Sequence, residues 1–145
     1  MIIVPGERVG SLRFLSTQQE VRDQLGPPQH CHDYGDGRVR WDYPQLNVLF
    51  LEGHGLMSVD LDSGPAMLWG TDVFGLSAPE LIDWLARREI QARVEYICRS
   101  CGDLTIDVPS HGLSVFYPDG DDEQSMPEGL EVSIGEWSLG RLVAL

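Results

Sequence analysis

The sequence predicts an α+β domain built as two tandem helix-then-antiparallel-meander repeats, forming one sheet with helices on one side. Three observations predict it. A capped helix start occurs twice, at Phe14 to Leu25 and at Phe74 to Leu85, with identical Phe, Glu, Asp and Leu at matching positions. Each helix is followed by short runs of alternating or continuous apolar residues separated by turn residues. The chain has 145 residues, 42% of them hydrophobic, enough for one core of ordinary size. The expected organisation is a single domain over 1–145. Repeat 1 spans about 5–62, a connector 63–72, repeat 2 about 73–134, and a C-terminal strand 135–145.

Each helix start is a capping box. Thr17 and Ser77 can accept a bond from the backbone N–H three residues on, where Glu20 and Glu80 reach back to the cap. Val21 and Leu25, like Leu81 and Leu85, are four apart and share a face. Gly26-Pro27-Pro28 stops the first helix, and the second runs to Arg88. In repeat 1, Arg38 to Tyr43 alternates. Leu46 to Leu51 reads as a buried strand, and Gly53-His54-Gly55 turns the chain into Leu56 to Leu61. In repeat 2, Arg93 to Cys98 and Leu104 to Val108 flank a short turn. Leu113 to Tyr117 and Leu130 to Ile134 pair around an acidic loop.

These motifs carry a family resemblance. Val9-Gly10-Ser11-Leu12-Arg13-Phe14, the helix stop Leu25-Gly26-Pro27-Pro28, Trp41-Asp42-Tyr43-Pro44 and Leu46 to Phe50 resemble the SmpA/OmlA-type small-lipoprotein domain. Tandem copies of that helix-plus-hairpin unit resemble the β-lactamase-inhibitory-protein fold. The resemblance implies a binding protein that grips a partner on a concave sheet face. The chain lacks a lipoprotein signal and the cysteine pairs of the secreted inhibitor, so inhibition of a β-lactamase does not carry over, and neither does any functional residue.

Charge narrows the partner. There are 23 acidic and 10 basic residues, all the basic ones arginine, for a net charge of −13. That argues against a phosphate-backbone binder, which needs a basic footprint, and suits a basic protein partner such as a toxin or enzyme. No apolar run approaches the ~20 residues of a membrane helix, and Met1 to Gly6 lacks the basic and apolar regions of a signal peptide. Cytoplasmic location and no membrane partner are the expectations.

Cysteines number three, Cys31, Cys98 and Cys101. Cys98-Arg99-Ser100-Cys101-Gly102 in a hairpin turn can aim two thiolates at one zinc, with His30 and His32 as the further pair. The plainer reading is a cysteine pair in a turn. No nucleophile elbow, phosphate loop or HExxH is present. Asp60-Leu61-Asp62 echoes a calcium loop, but position twelve is Thr71 rather than Glu. The sequence therefore predicts a non-enzymatic protein-binding module of the immunity or inhibitor type. Its acidic sheet face and loops would be the contact surface, through Tyr43, Trp69, Tyr117 and the loop residues Asp119, Asp121, Asp122 and Glu123. No cofactor is expected under that reading. A small metal- or ligand-binding domain, with zinc at Cys98 and Cys101, is the alternative.

Overall fold

A computed structural model describes residues 1–134. The expected C-terminal strand over 135–145, with Trp137, lies outside the described residues.

The strands are β1 Ile2–Val4, β2 Arg8–Val9, β3 Leu12–Arg13, β4 His30–Asp33, β5 Arg38–Asp42, β6 Leu46–Leu51, β7 Gly55–Leu61, β8 Met67–Leu68, β9 Thr71–Asp72, β10 Arg93–Cys98, β11 Asp103–Val108, β12 Leu113–Tyr117 and β13 Gly129–Ser133. Two helices interrupt them, α1 Gln18–Leu25 and α2 Ala78–Arg87. Both open on the expected capping boxes, Thr17 with Glu20 and Ser77 with Glu80. Gly26 closes α1, its N–H donating to the Arg22 carbonyl.

The architecture corrects the expected fold class. The described chain is 41% strand and 18% helix, arranged as two sheets rather than as a helix-plus-meander tandem. One sheet has five strands in the order β3-β2-β1-β8-β9, with β1 and β8 parallel. The other has eight, in the order β10-β11-β12-β13-β7-β6-β5-β4, every pairing antiparallel. The five-stranded sheet comes from residues that read as a lead-in and a connector. Ile3, Val9, Leu12, Ala66 and Leu68 are all buried there, and buried backbone groups must find partners. They find them in each other: the Met67 N–H donates to the Met1 carbonyl at 2.7 Å, and the Met1 amine to the Pro65 carbonyl at 2.8 Å. Strands of two or three residues are too short to show a period-2 pattern.

The core is continuous between the sheets. Ile3, Val9 and Leu68 join Val48, Val59, Ile106 and Val132, and the helices add Val21, Leu81 and Leu85. Burial alternates along the eight-stranded sheet, residue by residue in β6, β11 and β12. One face of that sheet is therefore core, and the other carries the remaining side chains.

Candidate functional site: a polar row across the open sheet face

Residues directly opposite in an antiparallel ladder project from the same face. The register therefore draws a row across all eight strands. Arg93 faces Asp107, Asp107 faces Ser114, and Ser114 faces Glu131. Glu131 faces Asp60 where β13 meets β7, then Asn47, Asp42 and His30 complete the row. The five inner positions lie between core residues, as Asp60 lies between Val59 and Leu61 and Glu131 between Leu130 and Val132.

The β4–β6 end of the row is internally balanced. Asp42 accepts from Arg40 Nε at 2.7 Å and contacts His32 Nε2 at 3.0 Å. The Asn47 amide, oriented as its neighbours require, donates to Asp42 Oδ1 at 3.0 Å and accepts from Arg40 at 2.9 Å. Burial pushes the Asp42 carboxyl up, but the bonds from Arg40 and His32 outweigh it and hold the group below its ordinary value. At the other end, Ser114 donates to Asp107 Oδ1 at 2.6 Å and Arg93 approaches Asp107 at 3.9 Å.

The centre is not balanced. Asp60 Oδ1 is buried with no hydrogen-bond partner among the described residues. Burial, then the charge of Glu131, pushes the Asp60 carboxyl up to about 6 against the pull of Arg40. Glu131 keeps exposed surface but sits low among its neighbours, and burial followed by the Asp107 charge raises it too. Two adjacent carboxylates in this state favour a proton or an incoming cation. A hollow of about 170 Å³ opens on the Glu131 side of the pair, lined by Arg93, Asp107, Ser114, Glu131 and Ser133 among others.

A larger hollow of about 750 Å³ lies between the start of α1 and the turns at 34–37 and 52–55. Two of its polar groups are turned onto their own loops: Asp33 accepts from the Gly35 N–H at 2.9 Å, and His54 Nδ1 lies 3.2 Å from the Glu52 carbonyl. The smaller hollow borders the row with its raised carboxyls and is the better candidate.

The acidic loop and the Cys-x-x-Cys turn prove to be one place. Between β12 and β13 the loop folds back on the β10–β11 turn. The Gly120 N–H donates to the Gly102 carbonyl at 2.8 Å, and the Asp119 N–H to Asp103 Oδ1 at 2.9 Å. The Tyr96 hydroxyl donates to Asp121 Oδ1 at 2.8 Å. Gly102 has φ +80°, and a Cβ there would stand 2.9 Å from Asp119 Oδ1. Asp122 and Glu123 are exposed at the tip.

Several expected site residues are corrected. Cys98 and Cys101 are joined as a disulfide in the turn, with Cα atoms 5.5 Å apart. His30 and His32 are on β4, at the opposite edge of the eight-stranded sheet. The expected zinc set of Cys98, Cys101, His30 and His32 cannot meet across six intervening strands. Tyr117 is not a contact residue: it is fully buried, and its hydroxyl donates to the Leu76 carbonyl at 2.9 Å. Tyr43 is half-buried, with its hydroxyl on the Gly26 carbonyl at 2.9 Å. Trp69 is 40% exposed with φ +48°, packed beside Trp84 and His111 under the Arg88 guanidinium. Sequence reasoning met Asp60 only as part of a calcium-loop echo that fails at Thr71, and passed over Glu131, Asp107 and Asn47 as site residues. Their signal is a lone acid or amide between two apolar residues of a strand.

No family model matches the chain, and no curated protein matches it. Two solved structures share the fold. An extracellular protein containing a SCP domain from Bacillus anthracis str. Ames superposes with a TM-score of 0.52 at 8% identity, over 88% of this chain. The chain spans 46% of that protein. A DUF4309 family protein (YjgB) from Bacillus subtilis subsp. subtilis str. 168 superposes with a TM-score of 0.50 at 13% identity, covering 88% of this chain and 87% of its own. At such identities the likeness concerns the fold alone. Neither belongs to the families that the sequence motifs resemble.

Proposed function

We propose that this protein is a binding module, of the inhibitor or immunity type, that receives a basic partner protein on the open face of its eight-stranded sheet. The observation that carries the reading is the Asp60–Glu131 pair. It brings two carboxylates together on an accessible face, with one oxygen unpartnered among the described residues. A guanidinium or ammonium from a partner, seated at the exposed Glu131, would relieve the repulsion between the two groups. The net charge of −13 would steer a basic protein toward the face, and the loop from Asp119 to Glu123 extends the acidic surface.

The test is affinity capture from the source cells with the full chain and with an Asp60→Asn/Glu131→Gln double variant, followed by cross-linking. A basic protein should be retained by the native chain, cross-link to β7 or β13, and bind the double variant at least about tenfold more weakly, or ~1.4 kcal/mol. Retention should fall as salt rises. Equal retention by the two chains, or no retained protein, would rule the reading out.

A further inference from the structure

The two edges of the eight-stranded sheet are built differently. At one edge, β4 has four residues, His30 to Asp33, and its His32 is bonded across to Asp42. It is short and polar, which is how sheet edges avoid unwanted pairing. At the other edge, β10 has six residues, and Arg93 to Ile97 are all exposed. Val94 is 43% exposed, Tyr96 41% and Ile97 63%. Val94 faces Ile106 and Tyr96 faces Leu104, and both of those partners are buried. The apolar layer of the core therefore continues onto β10, and no described residue pairs with its outer side.

The usual protections are weak on β10. It contains no proline, and its two charged residues, Arg93 and Glu95, are tied to each other at 3.0 Å. A bulge occurs only near its end, between Tyr96 and Cys98. The charge around the strand is mainly negative. Asp107 faces Arg93, Asp103 faces Cys98, and Asp121 holds the Tyr96 hydroxyl, while Arg99 lies over the Tyr96 ring.

We infer that β10 is a docking edge, which takes an extended segment of a basic partner as a ninth strand. Main-chain hydrogen bonds to the side of β10 that pairs with no described strand would supply affinity. Alternate apolar residues of the segment would cover Val94 and Tyr96, and Lys or Arg on the other face would meet Glu95. The sign of the partner's charge rests on the binding-module reading; the edge geometry does not. A second copy of this chain is the less suitable occupant, because each copy brings a net charge of −13.

Amide hydrogen exchange of the full chain, with a short acetylated peptide alternating valine and lysine, tests this. Exchange at Val94 to Cys98 should slow about tenfold with that peptide and stay unchanged with its valine–glutamate counterpart. Val94→Lys and, separately, the more exposed Ile97→Lys should each abolish the protection, with circular dichroism confirming that the fold is kept. The Asp60→Asn/Glu131→Gln chain should be protected as fully as the native one, which separates this edge from the sheet face. No slowing, equal slowing by the glutamate peptide, or loss of protection in the double variant would overturn the inference. So would a dimer whose β10 amides are protected without peptide.

Discussion

Asp60 on β7 and Glu131 on β13 stand directly opposite each other, at the junction between two runs of sequence-adjacent strands, and no ion pair among the described residues includes either. A pair so placed weakens the fold that carries it. Asp60 has its folded pKa raised from 3.8 to about 6. Between those values the folded state holds more protons than the unfolded one, so stability falls as pH rises through that window. The loss is complete above pH 6 and is on the order of 1–2 kcal/mol once solvent screening is allowed for. Asp60→Asn should therefore raise the urea midpoint at pH 7.5 and flatten the decline from pH 4 to 6. A variant whose pH profile overlays the native one would refute the assignment.

Gly55 is where the hairpin before β7 presses on the chain leading into α1. The Leu56 N–H donates to the Ser16 carbonyl, and the Leu15 N–H to the Leu56 carbonyl, both at 2.8 Å. Gly55 has φ +90°, and a Cβ there would stand 2.5 Å from the Leu15 oxygen. Those neighbours are backbone and cannot swing aside. Gly55→Ala should cost on the order of 3 kcal/mol or more, seen as a large drop in melting temperature. A change within a degree or two of native would contradict the close approach.

The cap of α2 is the better enclosed of the two. Ser77 is 4% exposed, and its hydroxyl accepts from the Glu80 N–H, while the Glu80 carboxylate accepts from the Ser77 N–H at 3.2 Å. Ser77→Ala should destabilise the protein by about 1 kcal/mol, and Thr17→Ala, on the exposed α1, by no more. Chemical denaturation of the two variants side by side checks the order. A larger loss at Thr17 would run against it.

Tyr117 joins β12 to the residue before the α2 cap. Burial raises its phenol well above the ordinary range, so it remains a hydrogen-bond donor to the Leu76 carbonyl. Tyr117→Phe should lose about 1 kcal/mol by leaving that carbonyl unpaired, and Tyr117→Ala about 3–5 kcal/mol through the cavity. A phenylalanine variant as stable as the native chain would mean that water replaces the hydroxyl.

The strands with long apolar patterns could be read from the sequence: Leu46 to Leu51, Arg93 to Cys98 and Leu113 to Tyr117 all fall at their expected bounds. Both capping boxes could be read too, because a cap is a local bond between residues three apart. The five-stranded sheet could not, since its pairings join Ile2 to Met67 and depend on burial rather than period. The face of Tyr117 was legible: it lies two and four residues beyond Val115 and Leu113, on the same buried face of β12, so naming it a contact residue runs against the strand's own period. Asp60 and Glu131, by contrast, become a pair only when β7 and β13 meet, a contact that no local motif encodes.

That meeting also sets an order of events. β7 follows β6 through a tight turn, so β4 to β7 can assemble as soon as they are made. The other side of β7 must wait for Gly129–Ser133, which is made long after it. During that interval the nascent chain carries an open strand with Leu56, Val59 and Leu61 in it, unshielded by its eventual neighbour. Asp60, next to last in that strand, places a charge where a wrong strand would otherwise join. The carboxylate that weakens the finished fold thereby protects the unfinished one.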